Sequence, residues 1–247
     1  MKVVFLRHGE SLWNKLSLFT GWYDVPLTQR GIQEAGAAAR RLKESGYSFD
    51  IAFSNLHKRT LKTLGIVLKE LKLTKIPVHK AWQLNERHYG ALTGLNKAAT
   101  AKKYGDQQVH IWRRSYSIRP PSMKRTDSKY RAIVKMYKDV PKKCIPLAES
   151  LKDTYNRTVP YWKNVIAPEV RKGRKVLIAA SHNSLRSIIK YLDNIPESEI
   201  QNYTIPYGIP LVYELDSKLK PVRHYYLGKA SEIKKVLAEM AAQGKAK

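Results

Sequence analysis

The chain is poor in cysteine, in acidic side chains and in long apolar runs. Cys144 is the single cysteine among 247 residues, which excludes a disulfide framework and favours a reducing compartment. No apolar run approaches the roughly 20 residues of a membrane-spanning helix, so we expect no membrane span. The first predicted strand begins at Lys2, which leaves no room for a targeting peptide in this numbering.

The shortage of acidic residues leaves a large excess of positive charge. Asp and Glu together number 20 against 46 Lys and Arg, so the formal net charge is +26. The hydrophobic content of 43% is that of a globular protein with a real core. Because such a charge repels itself in the compact state, one interpretation is a polyanionic partner, either RNA or a ribonucleoprotein. A general solubilising bias is the other interpretation.

Strand and helix patterns alternate along the chain, which predicts an α/β fold. We expect a three-layer architecture, with a mainly parallel sheet and helices on both of its faces. Strands are predicted at 2–6, 51–54, 76–78, 176–180, 210–215 and 221–226. Helices are predicted at 28–45, 57–72, 96–104, 106–115, 149–166, 183–193 and 230–242, with a bend at Pro160. Residues 1–247 are expected to form a single domain.

The stretch 119–143 departs from this alternation. It is rich in Lys and Arg, and it also contains Tyr130 and Tyr137. We interpret it as a basic insertion over the edge of the sheet. It is either a solvated loop or a patch that binds a phosphate backbone while its aromatic rings stack on bases. The candidate nucleic-acid contacts are Lys124, Arg125, Lys129, Arg131 and Lys135.

The end of the first strand carries the clearest chemical signal. An apolar run leads into Arg7-His8-Gly9, and a histidine at a strand end can offer a neutral ring nitrogen as a nucleophile. A phosphoryl group needs positive donors around its oxygens, for which Arg7 and Arg59 are candidates, with Asn14 as a neutral donor. Glu86 is the candidate general acid and base. The pattern indicates phosphoryl transfer through a phosphohistidine.

Several collinear blocks together give the chain a family resemblance. The blocks are 7–11, 19–24, 84–92, 94–97, 111–115, 205–210 and 242–247. With them, residues 2–247 resemble the bisphosphoglycerate-dependent phosphoglycerate mutases of the histidine phosphatase superfamily. The resemblance implies that His8 becomes the phosphohistidine, that Arg7, Asn14 and Arg59 hold the phosphoryl group, and that Glu86 is the acid and base. It also implies phosphoglycerate contacts from Thr20, Gly21, Tyr89, Lys97, Arg113, Arg114 and Asn183.

The resemblance breaks down at the residue after the last parallel strand. The family has Ala-Ala-His-Gly-Asn-Ser-Leu-Arg there, whereas this chain has Ala-Ala-Ser-His-Asn-Ser-Leu-Arg. Ser181 therefore stands where the family has its second catalytic histidine, and His182 replaces the family's glycine. Because adjacent side chains at a strand end point to opposite faces, we expect His182 to point away from the phosphoryl group. Tyr207 stands where the family has a threonine.

The missing histidine and the excess charge favour one functional interpretation. In it, the chain is a mutase-like protein with little or no turnover, recruited as a basic structural component of an RNA-containing assembly such as a mitochondrial ribosome. Its partner would be RNA or a ribonucleoprotein. Its location would be mitochondrial if that ribonucleoprotein is organellar, and otherwise cytoplasmic.

The alternative is an active phosphoglycerate mutase of glycolysis. It would interconvert 3- and 2-phosphoglycerate, with 2,3-bisphosphoglycerate priming His8. A phosphatase of the same superfamily is a weaker third interpretation, because the mutase-type blocks 84–92 and 94–97 are intact. No metal is expected in any of these cases, and the resemblance allows a homodimer.

Overall fold

A six-stranded sheet forms the centre of the computed structural model, which describes residues 1–242. The strands are β1 (Lys2–Arg7), β2 (Ile51–Ser54), β3 (Val78–Lys80), β4 (Val176–Ala180), β5 (Leu211–Leu215) and β6 (Pro221–Tyr226). Their order across the sheet is β3-β2-β4-β1-β5-β6. The first four of these are parallel, and β5 and β6 are added by antiparallel pairing. The predicted α/β fold with a mainly parallel sheet is confirmed.

Helices fill the connections between the strands. Those that precede β4 are α1 (Leu12–Lys15), α2 (Gln29–Glu44), α3 (Lys58–Glu70), α4 (Lys97–Tyr104), α5 (Asp106–Arg114), α6 (Ser128–Met136), α7 (Leu151–Tyr161) and α8 (Ala167–Arg171). Those that follow β4 are α9 (His182–Leu192), α10 (Glu197–Ile200) and α11 (Ala230–Ala242). Thr28 caps α2 as its Oγ1 accepts a hydrogen bond from the Gly31 N–H, which is why this helix begins where the sequence predicts.

The helices cover both faces of the sheet because the central strands are apolar on both faces. Every residue of β4 is buried. In β1, Val3 and Phe5 belong to a core cluster that also includes residues of α8 and α9, whereas Val4 and Leu6 belong to one with residues of α2 and α3. Continuous apolar strands are typical of parallel sheets buried between two helical layers. The three expected layers follow from this pattern.

Several predicted elements have different bounds in the structure, and in two of them the difference lies beside a proline. The helix predicted at 149–166 is interrupted after Tyr161 by a π-helical turn, Trp162–Ile166, that begins two residues after Pro160. Proline lacks the N–H that the α-helical ladder needs, so a local change of winding is expected there. Likewise β3 pairs with β2 only from Val78 onward, because Pro77 has no N–H to donate.

The segment 119–143 is folded rather than a solvated loop, which corrects one of the two interpretations given above. It contains α6, and Tyr130, Ile133 and Tyr137 are buried on one face of that region. Their spacing of three and four residues is the helical period, so this burial could have been predicted from the sequence. They pack in a cluster with Trp22, Met123, Val140 and Ile145. The segment is therefore anchored to the body of the protein by its own apolar side.

Two further sequence-based expectations concern membranes and the chain end. None of the helices within residues 1–242 has the length and apolarity that a membrane crossing requires. The predicted C-terminal helix is α11, which begins at Ala230 as predicted and is helical up to the last described residue, Ala242. The family-like tail from 243 to 247, including Gly244 as the predicted helix end, lies outside the described residues.

Candidate active site

A cavity lies at the carboxyl ends of the parallel strands. The backbone N–H of His8 donates to the carbonyl of Ala180 at 3.3 Å, so the ends of β1 and β4 lie side by side. Ligands of open α/β sheets bind at this edge, where the loops that follow the strands converge. The cavity is lined by all of the candidate catalytic and phosphoglycerate-contacting residues: Arg7, His8, Asn14, Thr20, Gly21, Arg59, Glu86, Tyr89, Lys97, Arg113, Arg114 and Asn183.

His8 is held in a single tautomer. Its Nδ1 lies 2.7 Å from the carbonyl oxygen of Gly9, and because a carbonyl only accepts, Nδ1 carries the proton. Nε2 therefore carries a lone pair rather than a proton, and this lone pair accepts a hydrogen bond from the Nε–H of Arg59 at 3.3 Å. Burial, followed by the charges of Arg59 and Arg7, holds the pKa of His8 well below its usual 6.5. At neutral pH the ring is uncharged and offers a nucleophilic nitrogen to the cavity.

Arg59 joins two parts of the cavity wall. It lies in the first turn of α3 and is only 1% exposed. Beyond its contact with His8, its Nη2 donates to the carbonyl of Gly21 at 3.0 Å and its Nη1 to that of Tyr23 at 3.2 Å. Residues 20–23, which we call the 20–23 loop, are thereby fixed beside the histidine. The guanidinium of Arg59 thus belongs to a preorganised frame rather than to a side chain that must be ordered by a ligand.

The cavity has far more positive than negative charge. Among residues 1–242, its lining includes five cations, Arg7, Arg59, Lys97, Arg113 and Arg114, and a single carboxylate, that of Glu86. Burial and then repulsion from Arg113 lower the pKa of Lys97 to about 7 and that of Arg114 to about 10. A cleft whose lining carries mostly one sign of charge attracts the opposite sign, so this lining favours a ligand with several negative charges.

Several polar atoms around the cavity are enclosed without a hydrogen-bond partner in the described part of the chain. They include Arg7 Nε, Thr20 Oγ1 and His182 Nε2. An enclosed donor without a partner costs about 1–3 kcal/mol, so a group that accepts from these atoms would be stabilised. Phosphate oxygens are acceptors of this kind. Within residues 1–242, no group of His, Cys, Asp and Glu side chains could hold a metal ion.

Glu86 lines the same cavity and is held by directed hydrogen bonds. Its Oε1 accepts from the N–H of Arg87 at 2.7 Å and from the Nδ2 amide of Asn183 at 2.7 Å. Arg186 in turn donates from Nη1 to Asn183 Oδ1 at 2.8 Å, which fixes the orientation of that amide. The carboxylate is thus placed in one position at the cavity wall, as a group that moves a proton must be.

The expectation that His182 points away from the cavity is wrong. His182 lines the cavity, while Ser181 is not among the described residues that do so. The Oγ of Ser181 instead accepts from Asn55 Nδ2 at 2.9 Å, which ties the end of β4 to the end of β2. The physical reason is that the chain passes from strand to helix at this point. Ser181 has extended backbone angles and His182 is the first residue of α9, so the alternation of a strand no longer applies.

The His182 ring is neutral and incompletely satisfied. It keeps part of its surface on the cavity, while its Nε2 is enclosed without a partner among the described residues. Burial, followed by the charges of Arg7, Arg186, Arg114 and Arg87, holds the pKa of His182 well below 6.5. A neutral imidazole has one N–H to donate and no net charge to contribute.

Sequence reasoning assigned no role to two other residues that contact Arg7. The guanidinium carbon of Arg7 lies 3.8 Å from the ring centre of Tyr207, and Arg7 Nη1 donates to Met240 Sδ at 3.6 Å. Tyr207 was noted only as a departure from the family pattern, in the block 205–210. Met240 lies on α11, where an apolar residue at a helix face gives no signal that separates a cavity wall from an ordinary core. Leu18 and Phe19 complete the lining.

The basic side chains of the 119–143 segment lie elsewhere. Lys124, Arg125, Arg131 and Lys135 are exposed, and Lys129 is half-buried. Arg125, Arg131 and Lys135 line a shallow depression together with Tyr130, Val134 and Lys142. None of the five candidates is among the described residues that line the cavity at His8.

Lys97 should give the enzyme reaction a measurable pH dependence. Its pKa of about 7 means that the ammonium loses its charge as the pH rises through neutrality. For an anionic substrate we expect kcat/KM, which reports ionisations of the free enzyme, to fall about five- to tenfold between about pH 6 and 8. The Lys97→Met variant should be weaker throughout and lack this step. An unchanged pH profile in that variant would contradict the assignment.

Comparison with known proteins gives one consistent family. The sequence model of the histidine phosphatase superfamily (branch 1) matches residues 3–225. A relative from Borreliella burgdorferi strain ZS7 is 54% identical over 246 residues, covering 100% of this chain and 99% of its own length; it is named 2,3-bisphosphoglycerate-dependent phosphoglycerate mutase. The homologue from strain B31 has the same name and the same identity.

Solved structures agree on the fold at much lower identity. The mycobacterial glucosyl-3-phosphoglycerate phosphatase has a TM-score of 0.65 at 20% identity, over 91% of this chain and 96% of its own. The α-ribazole phosphatase from Shigella flexneri has a TM-score of 0.64 at 20% identity, over 90% and 95%. At this identity the likeness shows the fold alone.

These relatives contradict the interpretation that the sequence favoured. The chain is similar over its full length to proteins named as mutases, and at 54% identity. The interpretation as a structural component of a ribosome or another RNA-containing assembly, with little or no turnover, is therefore wrong. Nothing in the comparisons supports an RNA partner or a mitochondrial location.

Proposed function

The chain belongs to the histidine phosphatase superfamily (branch 1), and within it we propose that the protein is an active 2,3-bisphosphoglycerate-dependent phosphoglycerate mutase. It would interconvert 3-phosphoglycerate and 2-phosphoglycerate. The observation that carries the proposal is the neutral His8, whose Nε2 lone pair faces a cavity with five cations and one carboxylate. This is the arrangement that a nitrogen nucleophile needs to accept a phosphoryl group from a highly charged substrate.

In the proposed reaction, 2,3-bisphosphoglycerate serves as the primer. His8 Nε2 attacks the phosphorus and the P–N bond forms. The bond that breaks is the one between the phosphorus and the oxygen that stays on the substrate carbon. Glu86 gives a proton to the departing oxygen. In the return step Glu86 takes the proton of the accepting hydroxyl, that oxygen attacks the phosphorus, and the P–N bond breaks. Two transfers, one at the 2-hydroxyl and one at the 3-hydroxyl of the same glycerate, give the isomerisation without net loss of phosphate.

The remaining residues hold the reacting groups. We assign Arg7, Arg59 and Asn14 to the oxygens of the transferring phosphoryl group, because two of the three are cations and all line the cavity with His8. His182 would donate its one N–H to the same group. The other end of the substrate, with its carboxylate or second phosphate, is assigned to the following residues: Thr20, Gly21, Tyr89, Lys97, Arg113, Arg114 and Asn183.

Location and oligomeric state remain predictions. With the ribonucleoprotein interpretation removed, the cytoplasmic alternative is the one we propose. A homodimer is likewise proposed on family resemblance only.

Radiolabelling with 2,3-bisphosphoglycerate tests the proposal directly. We expect one acid-labile, base-stable label on His8, as a phosphorus–nitrogen bond requires, and its transfer to added 3-phosphoglycerate. Steady-state interconversion of the two phosphoglycerates should accompany it. A label that appears but leaves as inorganic phosphate would indicate a phosphatase instead. Turnover at background with no label would contradict both.

A further inference from the structure

A buried chain of hydrogen bonds joins the 119–143 segment to the acid and base Glu86. The backbone N–H of Glu86 donates to His57 Nε2 at 3.0 Å. The opposite ring nitrogen, Nδ1, lies 2.7 Å from the hydroxyl of Tyr137. That hydroxyl also contacts the carbonyl of Trp22, at 2.9 Å. Neither His57 nor Tyr137 is among the described residues that line the cavity, so neither is a substrate contact.

The direction of every bond in this chain is fixed by its two ends. A backbone N–H can only donate, so His57 Nε2 has no proton and the neutral ring carries its proton on Nδ1. Nδ1–H therefore donates to the oxygen of Tyr137. A backbone carbonyl can only accept, so the Tyr137 O–H donates to Trp22. The Tyr137 hydroxyl both accepts and donates, and each other atom of the hydrogen-bond chain has one role, which makes the arrangement a specific one.

The hydrogen-bond chain connects two parts of the cavity lining. Trp22 lies in the 20–23 loop, whose carbonyls on either side of it accept from Arg59. Glu86 is held at its carboxylate by Asn183 and at its carbonyl by Arg157 Nη2, at 3.0 Å. His57 supplies the third attachment, at the N–H of Glu86. The Tyr137 hydroxyl is thus bonded directly to the 20–23 loop and, through His57, to Glu86.

Packing explains why the position of the Tyr137 hydroxyl depends on the 119–143 segment. Tyr137 directly follows α6 and is 5% exposed, and its ring packs edge-on against Trp22, with centres 5.6 Å apart. Tyr130 and Ile133 of α6 lie in the same cluster. Docking of the segment through this apolar face therefore delivers the hydroxyl to His57 and Trp22.

We propose that His57 and Tyr137 are positioning residues, through which the docked 119–143 segment sets the main chain of Glu86 and the 20–23 loop for proton transfer. This rests on the proposed mutase function for its role, although the bond chain itself does not. The neutral ring that the chain needs agrees with its surroundings: burial, then the charges of Arg59, His8 and Arg157, hold the pKa of His57 well below 6.5.

The test compares two substrates that differ in their need for an acid. The leaving group of a phosphoglycerate substrate is an alkoxide, which needs a proton from Glu86. The leaving group of p-nitrophenyl phosphate is p-nitrophenolate, which is a stable anion. In Tyr137→Phe we expect kcat for the mutase reaction to fall about 10- to 100-fold, as misplacement of a catalytic group does. The burst of p-nitrophenolate that is released as His8 takes the phosphoryl group should slow less than about threefold, since this leaving group departs without general acid help.

Tyr130→Phe is the matched control. Tyr130 lies in the same segment and cluster, and its hydroxyl makes no hydrogen bond within the described part of the chain. It should keep both rates near the wild type. At position 57, Gln can accept from the Glu86 N–H and donate to Tyr137, so His57→Gln should retain more mutase turnover than His57→Leu. Equal losses in the two tyrosine variants, or equal losses on both substrates, would overturn the positioning role.

A spectroscopic readout keeps this result separate from the fate of the mutase proposal. Nitrogen NMR should find the proton of His57 on Nδ1, and the Glu86 amide should be protected from exchange in the wild type and less so in Tyr137→Phe. A proton on Nε2, or unchanged protection, would overturn the inference whatever the enzyme does. Absence of phosphoglycerate turnover in the wild type, with the expected NMR result, would contradict the mutase function but not the bond chain.

Discussion

Replacing His8 with asparagine is expected to lower phosphoglycerate turnover about 10⁴- to 10⁶-fold, the loss that removal of a covalent nucleophile produces. The asparagine amide can still donate to the Gly9 carbonyl, as His8 Nδ1 does at 2.7 Å, so the cavity wall keeps its internal bond. What disappears is the lone pair of Nε2, because an amide nitrogen is not a nucleophile at neutral pH. The label from 2,3-bisphosphoglycerate should disappear with it.

Binding measurements separate lost chemistry from a lost fold. The five cations of the cavity remain in His8→Asn, so the variant should still bind 3-phosphoglycerate and be stabilised by it in thermal unfolding. His79→Asn is the matched control, since His79 is exposed on β3 and distant in the fold from the cavity lining. It should leave turnover unchanged. Turnover of His8→Asn within about tenfold of the wild type would exclude the phosphohistidine route.

The bounds of a strand could be predicted from the sequence where a short apolar run lies between turn residues. β2 and β4 have the predicted bounds because both are short apolar runs between turn residues, a pattern that has few other solutions. The bounds of β3 could not be predicted to the residue. An apolar run shows that a strand is present, but only the partner strand shows which N–H groups must donate, and Pro77 has none.

The 119–143 segment shows where composition misled. Its lysines and arginines drew attention to charge, and charge averaged over a segment says nothing about which face carries it. The helical spacing of Tyr130, Ile133 and Tyr137 already indicated a buried side. The same holds for the excess charge of the whole chain, part of which lines the cavity, where the polyanionic partner that we propose is a small substrate rather than a nucleic acid.

Arg7, His8 and Arg59 could be predicted to share the cavity, because residues at the ends of parallel strands meet at one edge of the sheet. Most of the other lining residues were predicted only through the family resemblance. The donor and acceptor roles in the hydrogen bonds of the site could not be predicted. The tautomer of His8 depends on the Gly9 carbonyl, and that of His57 on the N–H of Glu86, which is 29 residues away in the chain. Such contacts depend on tertiary packing, and no local pattern reports them. The prediction for His182 failed because it used the alternation of side chains along a strand, and β4 ends at Ala180, before this residue.

The second large effect is expected at His182. His182→Ala should lower kcat for the mutase reaction about 10²- to 10³-fold, the usual loss when one preorganised hydrogen-bond donor to a transition state is removed. The cost is one donor and not one charge, because the pKa of His182 is held well below 6.5 by burial and by Arg7. An entering phosphoryl group opposes that shift, since its negative charge favours the protonated ring.

Ser181→Ala is the matched variant for this prediction. Its hydroxyl accepts from Asn55 Nδ2 and does not reach the described cavity lining, so its loss should reduce the free energy of unfolding by about 1–2 kcal/mol and leave turnover within about threefold. Single-turnover phosphorylation of His8 and urea unfolding measure the two effects. The family resemblance, taken by alignment alone, predicts the reverse order, with position 181 as the sensitive one. If Ser181→Ala loses turnover while His182→Ala keeps it, alignment rather than the geometry of α9 identifies the working residue.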